Sequence, residues 1–243
     1  MNERLPFAFP PGQSEILRRR ARILGCLCAM DEGFCVTPVR SIAEDTLKAM
    51  LLLYDDAFLS GYLLRTFGEL RVTLSPRLIS SAGKFLYSRS AHKRLGQAEI
   101  RMSGDFLTRL DRGPFELNGL TVATPQEAFL VVFEHELCHA LETALYGSTG
   151  HSRRFLALAN GLFGHTATRH SLPTRRQEAA EHGLCIGQRA QFLYQGTTLT
   201  GIITYIGKTA TVMVPSARGA YRDRSGRRYE KYRVAPGHLQ RIP

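Results

Sequence analysis

The sequence predicts an α+β protein: a domain of helices and a small β-sheet, followed by a small all-β barrel of SH3-like, or KOW-like, form. Three observations carry that prediction. Residues 124 to 147 form one long apolar, helix-prone run between a start signal and a stop signal. Three short alternating stretches, residues 70–74, 84–87 and 99–102, precede it. From about residue 185 the hydrophobic pattern has period two and is broken by Gly-containing turns. The expected divisions are an N-terminal extension over 1–40, the helix-and-sheet domain over 41–184 and the barrel over 185–243.

Composition bounds the class. A chain of 243 residues, 44% hydrophobic and 22% charged, can bury one large core or two modest ones like an ordinary globular protein. No apolar run approaches the roughly 18 residues of a membrane span. The best, Ala49-Met50-Leu51-Leu52-Leu53-Tyr54, is far shorter, so no membrane partner is expected. Met1 to Gln13 holds a charge but no apolar segment of a secretory signal, so a cytoplasmic location is expected, nucleoid-associated if bacterial. The five cysteines are odd in number and lack C-x-x-C spacing, which predicts reduced thiols rather than a disulfide framework or a zinc ribbon.

Taken in order, residues 1–15 are Pro-rich and expected to be poorly ordered, and Leu17-Arg18-Arg19-Arg20-Ala21-Arg22 opens a short basic helix with a solvated face. Ser41-Ile42-Ala43-Glu44 reads as a capping box for a helix with Leu47, Leu51 and Tyr54 on one side, stopping near Gly61. The three alternating stretches then make a small sheet. Phe106 to Leu110 reads as a helical turn, and Gly113 to Val122 as a loop leading into the long helix.

That helix has a second capping box, Thr124-Pro125-Gln126-Glu127, with Pro at the first helical position, and Gly147 as its C-cap. Inside it lies Glu134-His135-Glu136-Leu137-Cys138-His139, an HExxH motif. On a helix His135 and His139 share a face and can both reach one Zn²⁺, while Glu136 can hold a water beside it. This is the apparatus of a zinc hydrolase, with Glu136 as the catalytic group. Cys138 projects to one side and reads as a small core residue.

A catalytic zinc needs a third protein ligand and an open position. The candidates are His151, His165, His170, Glu178 and Glu181. His151 is favoured, because Gly147-Ser148-Thr149-Gly150 makes a tight reversal and a new periodic segment, Phe155, Leu156, Leu158, follows it. A helical hairpin there brings His151 back towards His139. Glu142 and Leu145 stand where a metzincin has its Gly and third His, which argues against that arrangement. His165 and His170 lie in the connecting segment Gly164–His170, with a structural role in a turn favoured over an oxyanion-stabilising one.

Residues 187–192, 199–205, 209–214 and 229–234 supply the alternating strands of the barrel. Its connection, residues 218–229, interleaves Arg218, Arg222, Arg224, Arg227 and Arg228 with Tyr221 and Tyr229, a mixture suited to phosphates and stacked bases. Charge points the same way. Residues 151–243 carry 15 Lys and Arg against 4 Asp and Glu, whereas residues 1–150 carry 17 of each sign, so the whole net charge of +11 lies after the HExxH helix. DNA, single-stranded or duplex, is the expected partner of such a surface.

The run Val72-Thr73-Leu74-Ser75-Pro76-Arg77-Leu78, the triplet Ser81-Ala82-Gly83, Glu99-Ile100-Arg101-Met102-Ser103, the segment from His135 to Ala140, and Gly150-His151 through Phe155 together resemble the SprT-like zinc metalloproteases. That family includes the Spartan proteases, which digest proteins crosslinked to DNA. The similarity covers roughly residues 44 to 163. It implies a zincin-type metalloprotease domain, a protein or peptide substrate, zinc on His135, His139 and His151, and Glu136 as general base. Many relatives end in a Cys-rich zinc ribbon, which this chain has no cysteine pair to build. The alternative function is a nucleic-acid-binding protein with a structural or vestigial zinc site, which a closed four-ligand site would favour. A general peptidase whose barrel binds a protein is a third.

Overall fold

The computed structural model describes residues 10–88, 95–111, 113–168, 172 and 174–242, and the chain divides into two compact units, Met1–Leu172 and Pro173–Pro243. The protein is mixed α+β.

The first unit begins with helix α1, Gln13–Met30, and a short α2, Glu32–Cys35. Ile16, Arg20, Ile23 and Leu27 are buried along one stripe of α1, and its apolar residues join the core of the unit. Residues 1–9 lie outside the described residues. Arg20 itself is buried, not part of a solvated basic face. Helix α3, Glu44–Leu59, buries Leu47, Met50, Leu51, Tyr54 and Phe58 and stops at Ser60 and Gly61, both left-handed.

Ser41 does not cap α3, whose N-cap is Ala43. Asp31 does that work from a distance, accepting from the Ala43 N–H at 2.8 Å and from the Thr46 hydroxyl at 2.9 Å. A short α4, Tyr62–Thr66, leads to strands β1, Phe67–Ser75, β2, Gly83–Tyr87, and β3, Leu95–Ser103. They form a three-stranded sheet in the order β1-β3-β2, with β1 parallel and β2 antiparallel to the central β3. Strand β2 is therefore an edge.

After α5, Gly104–Arg109, the segment expected to be a loop is a hairpin of β4, Phe115–Leu117, and β5, Leu120–Val122. Its turn is Asn118-Gly119, both with positive φ, the combination that fits the twist of a two-residue hairpin loop. Helix α6, Pro125–Tyr146, is the central element, with 16 of its 22 residues buried. It packs against β2, β3 and α7, Arg153–Phe163.

The second unit contains α8, Arg175–Glu181, and a six-stranded antiparallel sheet in the order β11-β6-β7-β8-β10-β9. Its strands are β6 Arg189–Tyr194, β7 Thr197–Ile206, β8 Ala210–Pro215, β9 Tyr221–Arg222, β10 Arg228–Val234 and β11 Gln240–Arg241. The core is separate and small, built around Phe192, Ile203, Val212 and Val234. Ala179 and Leu184 belong to it, which moves the boundary from residue 185 to 173 and takes α8 with the sheet.

Candidate metal centre

The local sequence fixes the long helix. The Thr124 hydroxyl accepts from the Glu127 N–H at 3.2 Å and the Glu127 carboxylate accepts from the Thr124 N–H at 3.0 Å, closing the capping box. Pro125 occupies the first turn and Gly147, at φ 70°, ends the helix. His135 and His139 are thus one turn apart in mid-helix, their ring centroids separated by 4.9 Å.

The four-residue reversal over residues 147–150 then brings His151 back, with its ring 5.0 Å from each of the other two. The Nε2 atoms of His135 and His151 approach to 3.0 Å, and ligand atoms of all three histidines lie within 4.8 Å of one another. Two nitrogens bound tetrahedrally at about 2.0–2.1 Å to one metal ion sit about 3.3 Å apart, close to the spacing of the His135 and His151 pair. The three histidines can hold a metal, and among the described residues no fourth His, Cys, Asp or Glu joins them.

Neighbours orient the imidazoles. His139 Nδ1 lies 2.8 Å from the Thr149 hydroxyl, and a proton shared there leaves Nε2 to face the metal position. Burial, helped by the facing His151, pushes His139 down to about 4, so its ring is neutral at ordinary pH as a ligand must be. The buried ring of Phe155 stands 4.5 to 5.1 Å from all three imidazoles and makes the apolar floor of the site. Glu142, buried one turn beyond His139, accepts from the Gly150 N–H at 2.8 Å and the Ser152 hydroxyl at 2.6 Å. It pins the loop on both sides of His151, and Ser152 in turn caps α7.

Glu136 is buried beside the triad, and burial pushes its carboxyl up to about 7, opposed only by a backbone N–H from Phe85. Gly83 makes room for it, since a Cβ there would fall 2.7 Å from the Glu136 Cγ and 2.8 Å from Oε1. The carboxylate and the three histidines open into a cleft of about 350 Å³, bordered by Gly83, Lys84 and Phe85 of the edge strand and by Asn118 of the hairpin.

Glu134 points the other way. Its carboxylate accepts a bidentate pair from Arg20 at 2.8 and 2.7 Å, the Tyr54 hydroxyl at 2.8 Å, and pairs with His165 Nε2 at 2.9 Å. Burial alone would raise this carboxyl, but Arg20 and His165 hold it below the usual range. His165 is therefore a buried structural partner of α6 and not a cleft residue or ligand. His170 lies outside the described residues. Glu178 and Glu181 sit on α8 and border a cavity of the second unit with Arg175 and His182. Sequence reasoning missed Arg20, Tyr54, Glu142, Thr149 and Asn118.

The second unit holds Arg218, Arg222, Arg224, Arg227 and Arg228 exposed. All five cysteines are free, Cys138 fully buried in α6. No helix among the described residues is long and apolar enough to cross a membrane. The chain matches no protein-family model and no curated protein sequence.

Proposed function

We propose that the protein is a zinc-dependent endopeptidase of the SprT-like kind, acting on proteins associated with or crosslinked to DNA. One observation carries the catalytic half. Glu136 is buried at the mouth of a three-histidine site, has no role in the buried ion network, and is given its room by a glycine. A purely structural site would need the histidines and have no use for that carboxylate.

His135, His139 and His151 would hold the zinc, which when bound supplies Lewis acidity towards a water and the scissile carbonyl. Glu136 takes the proton of the attacking water and returns it to the departing amine. A carboxyl that burial has moved to about 7 is suited to both transfers, and a nearby cation draws it back towards the charged form that accepts first. The Phe85 N–H and the space at Gly83 keep it aimed into the cleft. Strand β2, at the end of the strand order among the described residues, borders the cleft and offers an extended substrate backbone donors and acceptors beside the histidines. The excess positive charge after residue 150 supports the DNA half.

The test is cleavage of a DNA-binding protein by zinc-loaded wild type and Glu136→Gln, with and without DNA. Glu136→Gln should keep its zinc and lose about 10²- to 10⁴-fold in rate. His151→Ala should lose tightly bound zinc. Cleavage by Glu136→Gln at the wild-type rate would remove the proposed mechanism, and full zinc in His151→Ala would remove the third ligand.

A further inference from the structure

The arginine-rich connection is not the best-built anion-binding surface of the second unit. Its turn is closed on itself. The Asp223 carboxylate accepts from the N–H groups of Ser225 and Arg227 at 2.9 and 3.0 Å, and from the hydroxyls of Ser225 and Tyr229 at 2.7 and 2.9 Å. Tyr229 is thereby tied to the turn. Tyr221 is not: it is 48% exposed, and the Lys231 ammonium lies 5.7 Å from its ring centroid.

A second tyrosine is presented on the same face by a break in regular alternation. Along β7 the pairing passes from Ile203↔Val212 to Tyr205↔Thr211, a bulge that leaves Thr204 without an opposite number. Strict period two would send Tyr205 inward behind Ile203. The bulge turns it outward, 49% exposed, while Ile203 and Ile206 stay buried. Gly207 accommodates the ring, since a Cβ there would fall 2.7 Å from the Tyr205 hydroxyl.

The register gathers cations between the two rings. Tyr205 is opposite Thr211, which is opposite Arg233, and Ile202 is opposite Met213, which is opposite Lys231. Tyr205, Tyr221, Lys231 and Arg233 share one groove of about 400 Å³, and among the described residues no acidic one borders it. Asp223 is consumed in its turn, and Glu230 accepts from Ser216 at 2.8 Å and Tyr232 at 2.6 Å. Residues 173–243 as a whole carry 12 Lys and Arg against 4 Asp and Glu.

We propose that this groove binds single-stranded DNA, with unpaired bases stacked on Tyr205 and Tyr221 and phosphates met by Lys231 and Arg233. The inference rests on the DNA association proposed above and places its contact on the sheet face rather than on the arginine connection. Half-exposed aromatic faces serve a strand whose bases are free to stack, and a duplex leaves them idle. Cations alone would suit an acidic peptide, but the bulge and Gly207 that expose Tyr205 add nothing to such a contact. Strands β7 and β9 are three steps apart, about 14 Å, room for a short run of nucleotides rather than one base.

The experiment uses the full chain and fluorescence anisotropy with a labelled oligothymidine of about 15 nucleotides, within the range of single-strand site sizes. A duplex of equal length, oligouridine and polyglutamate compete. Tyr205→Ala and Tyr221→Ala should each weaken oligothymidine binding about 5- to 100-fold, with the salt slope unchanged. Tyr205→Trp, which keeps a ring, should bind like wild type, and circular dichroism checks that each variant folds. Lys231→Gln with Arg233→Gln should flatten the slope of log affinity against log salt by about 1.4.

If wild type binds oligothymidine and both alanine variants bind equally well, the groove is wrong and DNA association survives elsewhere. If wild type binds no DNA at low salt, the association fails and takes the groove with it. Tighter capture of duplex, oligouridine or polyglutamate than of oligothymidine overturns the assignment of single-stranded DNA.

Discussion

Glu134 and Glu136 stand two residues apart on α6, and both are buried. Glu134 is saturated by Arg20, Tyr54 and His165 and is held charged, whereas Glu136 has, among the described residues, a backbone N–H from Phe85 and is pushed up to about 7. Burial is common to both and so cannot decide their roles. What decides is whether the fold supplies opposite charge. Where it does, the carboxylate becomes a brace between α1, α3 and the segment after α7. Where it does not, the group keeps its capacity to exchange a proton and faces the cleft.

The sharpest way to break this contrast is to take the charge partner from Glu134. Arg20→Met leaves a buried carboxylate facing only Tyr54 and His165, and should cost about 3–5 kcal/mol in urea unfolding. The folded fraction should still bind zinc, because none of the three histidines touches Arg20. A loss below about 1 kcal/mol would mean that Glu134 is not the brace described, since that is the scale of an exposed pair.

Glu142 tests the middle ground. It is buried like the other two, yet it holds the loop of His151 and not the core. Glu142→Gln should weaken zinc binding about 10- to 100-fold in a chelator competition, the usual effect of loosening an outer partner of a ligand. Its unfolding free energy without metal should move less than that of Arg20→Met. The reverse outcome, unchanged zinc with a large loss of stability, would group Glu142 with Glu134.

What could be read from sequence follows from how local each feature is. The capping box at Thr124, the HExxH face and the C-cap at Gly147 are set by neighbours a few residues away, and the short reversal before His151 makes the triad legible too. The Asn118-Gly119 hairpin carries its own signal in that dipeptide, though the stretch around it reads as a loop because each strand is three residues long. Arg20 was hidden for another reason. It ends a run of three arginines, and only a partner 114 residues away distinguishes it from Arg18 and Arg19. The bulge that exposes Tyr205 depends on the register of β7 against β8, which no stretch of either strand states alone.

The smallest effect belongs to a third kind of carboxylate, one that is paired but not sealed from solvent. Glu99 on β3 accepts from Arg101 at 2.9 Å twice and also from Thr73, with Arg71 nearby, and these hold its carboxyl at about 2 against the opposing effect of burial. A carboxyl lowered on folding binds fewer protons in the folded chain than in the unfolded one. Its contribution is therefore complete above the ordinary value of 4.5 and is lost as pH falls from there towards about 2. Glu99→Gln should destabilise by under about 1 kcal/mol at pH 7, because its arginine partners are exposed to screening, and the deficit should vanish near pH 2. In about 1 M salt the Glu99→Gln deficit should shrink while that of Arg20→Met persists, since salt screens exposed charges far more than buried ones. Salt that erased both deficits would show that water reaches Glu134, and the contrast between it and Glu136 would have to rest on something other than a sealed ion pair.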